Sequence, residues 1–278
     1  MQYNSDSLKT TDGAVLFTQS WLPKRSAARG VIVLVHGLGE HSGRYAHVAE
    51  FFTNAGYIVT ALDHRGHGRS QGKQLGYFER FQTLVDDLHH FIKNLPSAWR
   101  SLPLYLIGHS MGGLLSLCYV IRYTPVISGL ITSSAALDIG DNVPALARGL
   151  LRQVAIVAPT MGLTTIDSST ISRDTQVVKA YDADPYVYRG KIRARVAMEL
   201  RDACTFARQN LPKVNRPILV QHGSADTLVS PTCAEEIFTG VTSKDKSMKM
   251  YDGWYHELFN EVECQTVFQN MRDWLAAR

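Results

Sequence analysis

Residues 103–119, PLYLIGHSMGGLLSLCY, place Ser110 between Gly108 and Gly112, with an apolar β-rich run before it and an apolar helical run after it. A serine hydroxyl is a weak nucleophile. It must be held clear of the backbone, beside a base and beside donors for the oxyanion it creates. A sharp strand-to-helix turn does all three, but it strains the serine to positive φ and presses the chain against itself. Only very small residues fit two positions before and two after it, and glycines stand at both. A helix starting near Met111 aims its free amides and positive dipole end at the developing charge. The Gly-x-Ser-x-Gly pattern alone is weak, since any Gly-rich loop can contain it. Its strand and helix context makes Ser110 the candidate nucleophile.

Such a turn needs a sheet to carry it. The spacing predicts strands over residues 14–22, 30–35, 57–62 and 129–133 and helices over 46–55 and 78–95. The first strand alternates and suits an edge hairpin. The second, VIVLV, is apolar on both faces, as a buried parallel strand must be. This rhythm implies an α/β class: a doubly wound, mostly parallel sheet flanked by helices, with right-handed crossovers. From about residue 137 to residue 210 the alternation fails. We read that stretch as an inserted, mainly helical cap between a first core part, residues 1–136, and a second, residues 211–278. Within it, residues 143–158 are apolar around most of a helix, with Arg148 and Arg152 as a narrow polar edge. Such a helix calls for burial on more than one side or for a lipidic partner. The alternation resumes with strands over 217–220 and 247–251 and helices over 231–238 and 261–275.

Carboxyl ends of parallel strands share one edge of a sheet, so residues remote in sequence converge there. Ser110, Asp226 and His256 all follow predicted strands. Their chain order, Ser, Asp, His, is that of the α/β-hydrolase triad. In that chemistry His256 takes the serine proton, Asp226 orients the imidazole, and the backbone amides of Leu38 and Met111 hold the oxyanion. Taken singly, the aspartate equally caps a turn, and the histidine equally satisfies core hydrogen bonds. Together, in strand context, they point to catalysis. His36, His64, His67 and His222 stand in Gly-rich loops beside the same edge, where supporting hydrogen bonds are the economical role. They lack metal-ligand spacing such as H-E-x-x-H, so no metal is expected. No dinucleotide fingerprint or P-loop follows any strand, so no organic cofactor is expected either.

Composition agrees with a large enzyme domain. The chain has 278 residues, 45% of them hydrophobic and 19% charged, with a net charge of +4. The basic residues are scattered rather than striped, which gives nucleic-acid binding no support. Cys118, Cys204, Cys233 and Cys264 are far apart and form no C-x-x-C pair, which favours reduced thiols and a cytoplasmic setting. The N-terminal MQYNSDSLKTTDG has no apolar core of a signal peptide, and no apolar run is long enough to span a bilayer.

HGLGEHSGRY from His36 to Tyr45, DHRGHGRS from Asp63 to Ser70, GHSMGG from Gly108 to Gly113, the HGSAD loop of Asp226 and the His256 loop together resemble the monoacylglycerol lipase and lysophospholipase branch of the serine α/β-hydrolases. The matches run nearly end to end and miss only the cap. The resemblance implies an α/β-hydrolase fold and an esterase that releases a fatty acid from a monoacylglycerol, without cofactor. It implies an acyl channel under the cap and an apolar cap surface that makes peripheral contact with membranes or micelles. It also implies that Glu40 and Arg44 support a glycerol head group. Lysophospholipase or general carboxylesterase activity stays open on the same triad. A silent lipid-binding protein on this fold is disfavoured by the intact triad.

Overall fold

The computed structural model describes residues 1–24, 27–139 and 145–278. Strand β1 (Gln2–Lys9) forms a hairpin with β2 (Val15–Leu22), and β3 (Val31–Val35), α1 (Ala46–Asn54) and β4 (Ile58–Leu62) follow. Next come α2 (Phe81–Lys93), β5 (Leu104–His109), α3 (Met111–Tyr123) and β6 (Gly129–Ser133). The intervening segment holds α4 (Ala145–Val157), β7 (Gly162–Thr164), α5 (Thr175–Ala183), β8 (Ile192–Arg193) and α6 (Ala194–Asn210). The chain ends with β9 (Ile218–Gly223), α7 (Thr232–Gly240), β10 (Lys246–Tyr251) and α8 (Cys264–Ala276).

Among the described residues eight strands make one sheet in the order β1-β2-β4-β3-β5-β6-β9-β10, while β7 and β8 pair separately. The β1–β2 and β2–β4 pairings are antiparallel, and the rest of the large sheet is parallel. This is the expected α/β-hydrolase architecture. The alternation of side chains divides the core into two. Val31, Val33 and Val35 face the layer of α2, α3, α6 and α7, whereas Ile32 and Leu34 face the layer of α1 and α8. Burial on both faces is why VIVLV carries no polar residue.

Two departures have physical causes. β1 is polar and almost wholly exposed, so no apolar alternation betrays it; it exists because eight residues pair in register with β2. The helix expected over 78–95 spans only residues 81–93. Phe78 and Leu95 are buried in the flanking turns and mimic helical periodicity, and Glu199 of α6 accepts the Phe81 amide at 2.9 Å to set the start. In the helix expected over 143–158, Val143 and Pro144 lie outside the described residues. Ala155 of α4 is buried against Ala194 and Met198, whereas Leu150, Ile156 and Val157 are 66%, 58% and 78% exposed. The far face of α6 joins the main core through Val196, Leu200 and Ala207, so α6 links the elements between β6 and β9 to the sheet.

Candidate active site

Ser110 stands between the end of β5 and the start of α3 with φ +53° and ψ −120°. Its amide donates to Ser133 O (2.9 Å) and its carbonyl accepts from the Ala136 amide (3.1 Å), so the end of β6 pins the turn. The flanking glycines are required by contact. A Cβ on Gly112 would lie 2.0 Å from the Val35 carbonyl oxygen, and one on Gly108 would lie 2.4 Å from that of Gly112. Both neighbours are backbone atoms, so no rotamer relieves the clash. Gly112→Ala therefore lowers stability by roughly 3 kcal/mol, at the upper end of overpacking costs. Gly149→Ala, where nothing stands within 4 Å, serves as the control. Thermal melts that move equally for both variants would refute the argument.

Beyond β9, Asp226 accepts hydrogen bonds on both carboxylate oxygens. Oδ1 takes the amides of Leu228 (2.9 Å) and Val229 (3.0 Å). Oδ2 takes His256 Nδ1 at 2.7 Å and His222 Nε2 at 3.0 Å. Since an ionised carboxylate only accepts, Nδ1 of His256 carries the proton in the neutral ring and Nε2 is left as the acceptor. Burial pushes the Asp226 carboxyl up, but His256, His222 and the Val229 amide outweigh it and hold it well below the usual carboxylate range. Burial likewise lowers the proton affinity of His256, yet Asp226, with Glu257 and Glu40 beyond it, raises it overall. His109, whose ring centroid lies 4.8 Å from that of His256, is kept neutral by burial and by His256, its pKa lowered to about 4.

The loop after β3 is braced from three sides. Glu40 Oε1 accepts the Gly37 amide and the Tyr45 hydroxyl, each at 2.7 Å. The Tyr188 amide, from the loop between α5 and β8, donates to Gly39 O at 2.7 Å, and Gly39 itself has φ +74°. Behind the loop His36 Nδ1 donates to Gly37 O (2.8 Å), Nε2 accepts the His64 amide (2.9 Å), and His64 Nε2 donates to His36 O (3.1 Å). Burial keeps His36 and His64 neutral, the latter at about 3. Among the described residues no group of three His, Cys, Asp or Glu is arranged to hold a metal ion.

Leu38, Ser110, Met111 and His256 line one cavity of about 490 Å³, within the usual range for small-molecule sites. Asp226 lies behind His256. Much of the wall is apolar and comes from the segment between β6 and β9: Leu151, Leu163, Ile166, Ile171 and Leu200. No sequence motif marks these positions. The polar end is formed by Glu40, His109, Tyr181, His256 and Glu257. Arg44 stands behind it. Arg44 donates from both terminal nitrogens to Glu257 at 2.7 Å each, and from one of them to Glu40 at 2.7 Å, under the Tyr181 ring at 4.8 Å. Its part there is thus to hold two carboxylates. Burial would raise the Glu257 carboxyl, but Arg44 holds it down at about 2. Glu257 carries no motif of its own, and its only sequence cue is adjacency to His256.

The profile of the family described as serine aminopeptidase S33 matches residues 26–263. The monoacylglycerol lipase of Mycolicibacterium smegmatis is 36% identical over 257 residues, covering 92% of this chain and 91% of the relative. The monoglyceride lipase of Mus musculus is 31% identical, covering 98% and 90%. Among solved structures, the monoacylglycerol lipase of Paleococcus ferrophilus superposes with a TM-score of 0.84 at 30% identity, covering 94% of this chain and 98% of its own. With the profile spanning most of the chain and these relatives matched nearly end to end, the chain belongs to the serine aminopeptidase S33 family of α/β-hydrolases, in its monoacylglycerol lipase branch.

Proposed function

We propose that this chain hydrolyses monoacylglycerols to glycerol and free fatty acid, with Ser110 as nucleophile. The observation that carries the reading is the cavity: a positive-φ serine between an apolar wall suited to an acyl chain and a short polar end suited to a small alcohol. The names of the relatives support the same substrate.

Ser110 Oγ attacks the ester carbonyl while His256 Nε2 takes its proton, and the tetrahedral oxyanion meets the amides of Leu38 and Met111. Collapse expels the alkoxide, which leaves as glycerol with the proton from His256. Water then enters, His256 removes its proton, and a second collapse frees the fatty acid and restores Ser110. Asp226 holds the imidazole tautomer and offsets the imidazolium charge in both halves. Glu40 and Glu257 offer acceptors to the glycerol hydroxyls, and Arg44 fixes those carboxylates. The test is fatty-acid release from a matched panel of monoacylglycerol, diacylglycerol, lysophosphatidylcholine and p-nitrophenyl esters. Preference for monoacylglycerol is expected; activity on p-nitrophenyl esters alone would overturn the substrate assignment.

Residues 137–210 act as the cap in this reading, with α6 its anchor on the core. Leu163 both lines the cavity and is 36% exposed, and Leu151 of the lining adjoins exposed Leu150. The apolar outer face is therefore continuous with the acyl site, and it docks on a lipid surface from which the substrate enters. No helix among the described residues is long and apolar enough to cross a membrane, so the contact is peripheral. Leu150→Asp is expected to reduce hydrolysis of vesicle-borne monoacylglycerol by about tenfold, with little change on a soluble short-chain ester. Equal losses on both would refute cap docking.

A further inference from the structure

The polar end of the cavity has an unbalanced charge. Glu40 and Glu257 are 3% and 5% exposed, and both line the cavity. Arg44 is the guanidinium between them, and both of its terminal nitrogens donate to those carboxylates. Asn260 Nδ2 adds a further bond to Glu257 Oε2 at 2.8 Å. The arginine that lines the cavity itself, Arg201, stands on α6 beside Leu200 of the apolar wall and donates to its neighbour Asp202 at 3.0 Å. His109 is neutral because burial lowers its pKa to about 4, and burial keeps the Tyr181 phenol un-ionised. His256 answers to Asp226, which is itself a carboxylate. Two carboxylates against one guanidinium leave one negative charge beside the place where the alcohol departs.

We infer that Glu257, together with Glu40, makes this site discriminate by head-group charge, admitting neutral glycerol and rejecting esters whose alcohol carries a phosphate. The inference rests on the acylglycerol reading above and narrows it. A phosphate recognised by protein requires unengaged cationic donors or helix N-terminal amides. Here the Arg44 fork is taken up by carboxylates and the amide that opens α3 serves the ester oxyanion, so an incoming phosphate at this end meets repulsion without a compensating bond. Because the carboxylates are buried, bulk salt screens the repulsion weakly. A hydroxyl meets the opposite situation, since a carboxylate oxygen accepts more than one hydrogen bond. Glu257 is a specificity-determining residue in this scheme, and Arg44 is a positioning residue that holds both carboxylates in place.

The experiment measures kcat/KM in neutral detergent micelles for three esters with the same acyl chain: 1-acylglycerol, its 3-phosphate, and its 3-trimethylammonio analogue. The wild type is expected to turn over the neutral and cationic esters at least about tenfold better than the phosphate, at low and at high salt alike. Glu257→Gln cancels the net charge and is expected to shrink the neutral-to-phosphate ratio by about tenfold. Glu257→Asp, which keeps the charge, is expected to retain the ratio even if kcat falls. Glu40→Gln is the parallel variant should Glu257→Gln fail to fold. A wild type indifferent to head-group charge, or a folded Gln variant with an unchanged ratio, would overturn the inference and leave monoacylglycerol hydrolysis standing. No turnover of 1-acylglycerol, with fluorophosphonate labelling of Ser110 intact, would overturn the underlying reading and the inference with it.

Discussion

Ser110→Ala is expected to lower ester hydrolysis by roughly four to six orders of magnitude, leaving only what binding and oxyanion donors supply. The fold should be unaffected. Alanine keeps the Cβ and meets the same positive-φ strain that serine bears at φ +53°. The backbone bonds to Ser133 and Ala136 do not involve the lost hydroxyl. Oγ lies at a cavity wall, so its removal opens no new void in the packed core. The measurements are fatty-acid release, labelling by a fluorophosphonate, and thermal melting of the purified variant. Labelling is expected to vanish while the melting temperature and lipid binding persist. A well-folded variant that kept about a hundredth of wild-type turnover would remove Ser110 from the mechanism.

Asp226→Asn comes next in size, with a loss of about four orders of magnitude in kcat. The carboxylate accepts from two imidazoles and two backbone amides. A carboxamide turns one acceptor into a donor. If its nitrogen faces His256, the ring must accept at Nδ1 and carry its proton on Nε2, where it cannot take one from Ser110. A second signature follows from charge. The folded protein raises the proton affinity of His256, chiefly through Asp226 working against burial. The base must be neutral to act, so kcat/KM falls as pH drops through that raised pKa. Without the aspartate charge the pKa falls, and the acid limb of residual activity moves to lower pH. A soluble short-chain ester followed against pH checks both effects. An unshifted acid limb, or a loss under about tenfold, would show that another group orients His256.

Local pattern carried much of what can be said of this chain. The strands VIVLV and IVTAL were legible because each must be apolar on both faces to sit at the centre of a parallel sheet. Ser110 stood out because steric crowding at a strand-to-helix turn leaves glycine as the only residue for its two flanks. Asp226 and His256 followed from the rule that carboxyl ends of parallel strands meet. Each of these is a constraint of short range or of topology, and each leaves a mark within a few residues.

Other features leave no such mark. β1 is polar and exposed and owes its existence to β2, so nothing within it signals a strand. The apolar wall of the cavity collects Leu151, Ile166, Ile171 and Leu200 from separate elements, and a leucine facing a cavity looks in sequence like a leucine facing the core. The charge at the polar end depends on Arg44 reaching Glu257 across 213 positions. A salt bridge at that separation has no periodicity, and whether an arginine greets a phosphate or is held by carboxylates depends on which side chains packing brings within hydrogen-bond reach. Constraints on backbone geometry and strand burial are written locally, while the shape and charge of a cavity are properties of surfaces that exist only after the chain has closed on itself.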